Sequence, residues 1–251
     1  AKVLLGSLAT RGVRIGFYSS QLSERGTETA LFDYADYAER LLGTCSYILY
    51  DGTSEKNVPA AQARFAARFG SRVVALGAAG GAQAGSPLRE LPIVIAREQI
   101  THVYVIKFGA PDEPSVAHFG GARTLIHAVF DARAPHGDVF ARISPTVPSA
   151  ADAGSDGSRR PCPDVPVVPH IVRRRETEGT DLRAELGIPA DVTVFGRYGG
   201  WNVFDIFGAR QAVLRVARAR PRDVYFLFMN TQELAIPAGE SPPPNVIYLP
   251  A

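Results

Sequence analysis

"RIGFYSSQLSERGTETALFDYADYAERLLG", residues 14–43, passes from an apolar, aromatic run through small polar residues into a long amphipathic stretch. Residues 14–20 read as a buried strand. From Thr27 to Leu42 the apolar positions Ala30, Leu31, Tyr34, Ala35, Ala38, Leu41 and Leu42 fall at helical spacing, and Gly43 follows as a stop. A strand delivered into a helix is the repeating half of α/β architecture. The same stretch poses the functional question: Gly26-Thr27-Glu28 is either a loop that grips a ligand or the turn that joins two elements.

Outward from it the alternation continues. "CSYILYDG" (45–52) is the next strand, "PAAQARFAARFG" (59–70) the next helix and "SRVVALGA" (71–78) a third strand. "LRELPIVIAREQI" (88–100) follows as a helix, and "THVYVIKFG" (101–109) and "RTLIHAVFD" (123–131) as apolar runs of strand length, buried on both faces. A parallel sheet covered by helices fits this order. The register changes in "PTVPSAADAGSDGSRRPCPDVPVVP" (145–169), where proline, glycine, serine and small residues mark a loop or linker rather than core. Beyond it "GTDLRAELGIP" (179–189) is a short helix, "VTVFGRY" (192–198) a strand, residues 203–221 a helix, and "VYFLFMN" (224–230) and "NVIYLP" (245–250) further strands. The expected organisation is an N-terminal extension (1–13), an α/β domain (14–147), a linker (148–169) and the start of a second α/β domain (170–251). At about 80 residues the second is short for a domain, so an incomplete one is expected.

The 251 residues are 46% hydrophobic and 21% charged, enough to bury a full core. A net charge of +2, from 27 basic and 25 acidic side chains, leaves no excess field to draw in nucleic acid or an anionic membrane. Cys45 and Cys162 have no near neighbour that would make a metal knuckle or a redox pair, which points to free thiols in a reducing compartment. "AKVLLGSLAT" is too short to span a bilayer and lacks the charged start of a signal peptide. The expectation is a soluble, cytoplasmic protein with no transmembrane segment and no nucleic-acid partner.

Two strand-to-glycine-to-helix junctions are candidate sites. At the first, free backbone N–H groups at the helix start favour an anion. Gly26 permits close approach and Glu28 lies in the first turn, where a carboxylate suits the helix dipole. Arg25 is compatible with an anionic ligand or is a solvated side chain, and Ser23 or Thr27 as a plain N-cap is the competing reading. At the second junction, "VFGRYGGWNVFDI" (194–206), Arg197 sits at the carboxyl edge of a strand and can hold a diphosphate through two hydrogen bonds or pair with a neighbouring acid. Trp201 covers a core edge or stacks on a ligand. His127 is a hydrogen-bonded core residue or a catalyst, and the His136 and Asp138 pair is a turn or a substrate contact. "GAAGGAQAG" (77–85) lacks the spacing of a nucleotide loop and reads as a surface loop. Neither a His-Glu-x-x-His, a calcium loop nor a Gly-x-Ser-x-Gly elbow occurs, so no metal is implied.

Together "RGTETALFDYADYAERLLG", "TLIHAVFD", "VPHIV" before "LRAELGIP", and "VFGRYGGWNVFDI" leading to "VYFLFMN" resemble the GT-B glycosyltransferases, in particular the large retaining group that uses nucleotide-diphosphate sugars (glycosyl transferases group 1, family 4-like). The resemblance implies two Rossmann-like domains, the second incomplete here, and no cofactor beyond the nucleotide-sugar co-substrate. It implies that Gly26 and Thr27 face the donor diphosphate, that His127 contacts the transferred sugar as the catalytic histidine, and that Gly196 and Arg197 supply the phosphates with a cation. Arg25, Glu28, His136 and Asp138 are then the candidates for further substrate contacts. The activity implied is hexosyl transfer, with retention and without a metal, to an acceptor hydroxyl on a glycan, lipid or small molecule. Two departures stand out. No lysine follows Arg197 in "YGGWN", and the family's Glu-x7-Glu segment would lie beyond "NVIYLP". The expected partner is therefore a further C-terminal region of the same protein, without which turnover is weak. The alternative is a noncatalytic two-lobed α/β protein that closes on a nucleotide or sugar.

Overall fold

A computed structural model describes residues 12–77, 86–112, 114–149, 165–173, 181–199, 204 and 206–249. The expected N-terminal extension up to residue 11, most of the Gly77–Gly85 loop, the middle of the expected linker with Cys162, and Trp201 lie outside these residues. The chain divides into two compact units, Ala1–Arg173 and Arg174–Ala251.

In the first unit β1 (Arg14–Ser19), β2 (Cys45–Asp51), β3 (Val73–Leu76), β4 (His102–Lys107), β5 (Arg123–Ala128) and β6 (Val139–Arg142) form one sheet in the order β3-β2-β1-β4-β5-β6. Every neighbouring pair is parallel; Tyr18 of β1, for example, faces Leu49 of β2 on one side and Val105 of β4 on the other. The α/β class and the parallel sheet are as the alternation predicts, and the order is that of a Rossmann-like sheet. Strands buried on both faces explain the continuous apolar runs. Tyr47, Leu49, Val103 and Val105 point into one core layer, while Ile48, Tyr50 and Ile106 point into the other.

Helices cover both layers. α1 (Gly26–Leu42) and α2 (Pro59–Phe69) press Leu31, Phe32, Ala35, Phe65 and Phe69 onto one face. Phe32 meets Phe65 edge-on at 5.1 Å, a favoured aromatic geometry. α3 (Pro87–Arg97) presses Leu91, Val94 and Ile95 onto the other. Gly43 ends α1 at φ 66° with its N–H on the Glu39 carbonyl, the left-handed stop expected of a glycine there.

β6 is not legible in the sequence. Its four residues lie between turns, too short a run for alternation to declare itself. Residues on either side of the expected linker's middle also belong to the first unit: Val147 and Val165 are core residues, and Val167 forms a parallel bridge with Arg142 of β6.

The second unit holds α4 (Leu182–Glu185), β7 (Thr193–Tyr198), α5 (Phe207–Ala219), β8 (Val224–Met229) and β9 (Val246–Leu249), with a parallel sheet in the order β7-β8-β9. Its core gathers Leu214 and Ala217 of α5 against Val224, Phe226 and Phe228. The buried Asn245 amide donates to the carbonyls of Ala217 and Val224, tying helix to sheet. Among the described residues no helix is long and apolar enough to cross a membrane.

Candidate functional site

From β1 the chain winds outward through β2 and β3, then returns to lay β4 against the other side of β1. The loops after β1 and β4 therefore diverge and open a crevice at the carboxyl edge of the sheet, the place where open parallel sheets hold ligands. A pocket of about 360 Å³ lies there. Its base comes from the ends of β1 and β4, with Tyr18, Ser19, Ile106 and Lys107; one wall is the start of α1, with Arg25, Thr27 and Glu28; and Phe108 and Phe130 stand on its rim. Lys56, from the loop after β2, and Asp112 complete it.

The α1 entrance is built differently from a plain cap. Arg25 occupies the cap position and supplies no side-chain bond to the helix start. Ser23 Oγ donates to Glu28 Oε2 at 2.9 Å, and Thr27 Oγ1 donates to Glu28 Oε1 at 3.1 Å. Both hydroxyls that could have capped the helix thus serve the buried Glu28 carboxylate. The N–H groups of the first turn have no carbonyl one turn earlier in the helix to accept them. Beside Gly26 a Cβ would meet nothing within 4 Å.

The pocket's charge is unbalanced. Lys107 Nζ is held by Asp112, at 2.5 Å from Oδ1 and 2.7 Å from the carbonyl oxygen. Glu28 has its two hydroxyl donors. Among the described residues neither Arg25 nor Lys56 has a carboxylate partner. The charge left over is positive.

His127, near the carboxyl end of β5, is 2% exposed. Nε2 lies 2.8 Å from the Val168 carbonyl, which can only accept, so Nε2 carries the proton and Nδ1 takes the Tyr104 hydroxyl at 2.7 Å. Burial drives its pKa down from 6.5 to about 4, against the opposing bond to Val168. Burial likewise raises the Tyr104 hydroxyl well above 10 and the Tyr34 hydroxyl to about 12. The cluster is neutral at neutral pH.

Residues 165–173 run over this cluster as a strap. Tyr34 of α1 donates to the Pro169 carbonyl at 2.7 Å, and the His170 ring meets that of His127 edge-on at 5.9 Å. Arg173 ends the strap in ion pairs with Asp33 at 2.6 Å and Asp36 at 2.5 Å.

His136 and Asp138 lie at the amino edge of the sheet, away from the pocket. Asp138 Oδ2 accepts the backbone N–H of Thr124 at 2.7 Å and its hydroxyl at 2.9 Å, which fixes the start of β5. The His136 ring bonds the Ala134 carbonyl. The structure thus brings Arg25, Thr27 and Glu28 to one pocket with Gly26 beside it, and leaves His127, His136 and Asp138 outside its lining.

In the second unit Gly196 and Arg197 lie within β7, and Gly196 is exposed. Arg197 donates to Thr231 Oγ1 and lies over the Phe204 ring at 5.0 Å from its centre. Among the described residues no carboxylate pairs with it. Two hollows of about 460 and 430 Å³ run along α5, and among the described residues their linings come from that helix.

Lys56, Lys107, Phe108, Asp112 and Phe130 are pocket residues that no sequence motif marks. "IKFG" and "AVFD" carry their signal, because each places an aromatic residue just past a strand that ends at a ligand-binding edge. Among the described residues no group of three or more His, Cys, Asp or Glu is placed to hold a metal ion. No protein-family model matches the sequence, and comparison with curated proteins finds no match.

Proposed function

We propose that the first unit binds an anionic small molecule in the crevice between β1 and β4, as the acceptor-side body of a glycosyltransferase that uses a nucleotide-diphosphate sugar. One observation carries the binding half. An uncapped helix start, with the cations Arg25 and Lys56 that have no carboxylate partner among the described residues, bounds a pocket at the point where the strand order reverses. The transferase half rests on the sequence resemblance, supported by the Rossmann-like order of the first sheet and by a second parallel α/β unit with Arg197 near a strand's carboxyl end.

The chemistry is coherent with these residues. Breaking the sugar–phosphate bond builds negative charge on the leaving diphosphate. Preorganised N–H groups such as those at Gly26 and Thr27 stabilise such charge without a metal, while the acceptor hydroxyl is held for attack at the sugar carbon. For His127 to reach a sugar, Val168 must first release Nε2.

That locked histidine favours a second reading, a noncatalytic two-lobed α/β protein that binds a nucleotide or sugar. A panel of nucleotide-diphosphate sugars separates the two. Under the transferase reading at least one raises the thermal midpoint, the shift shrinks in Arg25→Ala and Arg197→Ala, and nucleoside diphosphate is released in the presence of an acceptor. Binding without release supports the second reading. No response to any nucleotide sugar overturns the first.

A further inference from the structure

Phe108 and Phe130 are 56% and 63% exposed, yet their backbones are firmly held. Phe108 follows β4 directly, Phe130 stands two residues past β5, and the ladder between these strands continues beyond both. Val129 N–H donates to the Lys107 carbonyl at 3.0 Å; Phe130 and Asp131 N–H both donate to the Phe108 carbonyl, at 3.0 and 3.1 Å. Gly109 then turns the chain away at φ 128°, where a Cβ would lie 1.7 Å from the Asp131 carbonyl oxygen. Only glycine fits at that turn. The two rings sit 5.5 Å apart, centre to centre, at 32°. Single exposed apolar residues are ordinary on a protein surface. Two aromatic rings fixed side by side on the rim of the β1–β4 pocket form a surface that a ring-shaped ligand matches.

We propose that Phe108 and Phe130 are a stacking platform for the ring body of the pocket's ligand, and that this ligand is a phosphate ester of a ring compound. Its ring face lies on the two phenylalanines and its phosphate on the side of Arg25 and Lys56. Charge complementarity decides the ester. Asp112 balances Lys107, the Glu28 carboxylate keeps its negative charge beside its two hydroxyl donors, and with Arg25 and Lys56 the three cations and two carboxylates among the described lining residues leave a net charge of +1. The inference rests on the pocket being an anion site. An aryl ring and the C–H face of a pyranose share the required chemistry.

The test compares phenyl phosphate and glucose 6-phosphate with glycerol 3-phosphate, which has the phosphate and no ring, by titration calorimetry. Ligand-observed saturation-transfer NMR is run with the uncharged phenyl β-glucoside. The wild-type protein is expected to bind at least one ring phosphate about fivefold tighter than glycerol 3-phosphate, the scale of an aromatic stacking contact. The stronger of the two names the ring. In the double variant Phe108→Ala/Phe130→Ala, whose thermal midpoint is expected to stay close to wild type because both rings are exposed, the ratio falls to about one. A wild-type ratio near one, or a ratio unchanged in the double variant, overturns the proposal. Saturation transfer to phenyl β-glucoside that depends on the phenylalanines, with no phosphate bound, keeps the platform and overturns the ester together with the anion-site reading. Loss of the transferase reading is registered separately, by the absence of nucleoside diphosphate release while the ring preference stands.

Discussion

His127 Nε2 donates to the carbonyl of Val168 at 2.8 Å, joining the end of β5 to a strap 41 residues further along the chain. The bond holds with a neutral ring, since a proton added at Nδ1 displaces the Tyr104 hydroxyl and places a charge among Tyr34, Tyr104 and His170. The folded protein resists that proton, with a pKa near 4 against an ordinary 6.5. Between those values the unfolded chain binds more protons than the folded one. Stability is therefore full above about pH 7 and falls as the pH drops through 6.5 toward 4, by up to about 3 kcal/mol. His127→Gln keeps a donor for Val168 and an acceptor for Tyr104 without a titrating ring. Denaturant unfolding from pH 7 to pH 5 is expected to show a flatter slope in the variant, and identical slopes would refute the assignment.

Arg173 closes the far end of the strap. Asp36 is 1% exposed on its side chain and also receives Arg40 and Arg68. Burial pushes its carboxyl up, and the hydrogen bonds from Arg68 and Arg173 outweigh that, so its pKa lies below 3.8. Its contribution is thus present above about pH 4 and lost as the pH falls through the folded value, a window below that of His127. Removing one partner of a buried pair costs about 3–5 kcal/mol when the other is stranded. Asp36 keeps two arginines, but buried Asp33 has no other cation among the described residues, so Arg173→Ala is expected to cost about 3–5 kcal/mol. Hydrogen exchange should rise at the Val168 amide, which is bonded to the Arg142 carbonyl; unchanged protection there would show that Arg173 does not hold the strap.

The parts of this fold that the sequence announces are those with many residues in one period. Residues 27–42 give four turns of apolar spacing, and the runs around Tyr47, Val74 and Val103 are long enough to mark buried strands. β6 and the strap are silent because their partners are distant: Val167 finds Arg142, Pro169 finds Tyr34, and Arg173 finds Asp33 and Asp36. No local pattern encodes such pairings, and the prolines of 145–169 read as linker. The same reasoning divides the site. Arg25, Thr27 and Glu28 are legible from the strand–helix junction, whereas Lys107, Phe108 and Phe130 become neighbours of that junction only once β4 returns beside β1.

Asp138 gives a clean separation of structure from binding. Its carboxylate is held below the usual range by the backbone N–H of Thr124 and then by the Thr124 hydroxyl, and its own N–H donates to that hydroxyl at 2.8 Å. These bonds pin the amino end of β5, across the sheet from the pocket. Asp138→Ala is expected to lower the thermal midpoint and to leave the affinity for a ring phosphate unchanged. A selective loss of affinity, with the midpoint intact, would return Asp138 to the list of substrate contacts.

Gly26 offers the converse test. It is the first residue of α1, and a Cβ there meets nothing within 4 Å. Alanine also suits a helix better than glycine, by up to about 1 kcal/mol in a helix interior and less at its first position. On stability alone Gly26→Ala should be neutral or slightly favourable. Under the proposed binding mode, an anion approaches the α1 N–H groups through the open space that the new methyl fills. The expected outcome is an equal or raised thermal midpoint together with severalfold weaker binding of inorganic phosphate. If phosphate affinity is unchanged at that higher stability, the anion does not approach by way of Gly26, and the cation pair Arg25 and Lys56 must bind it alone.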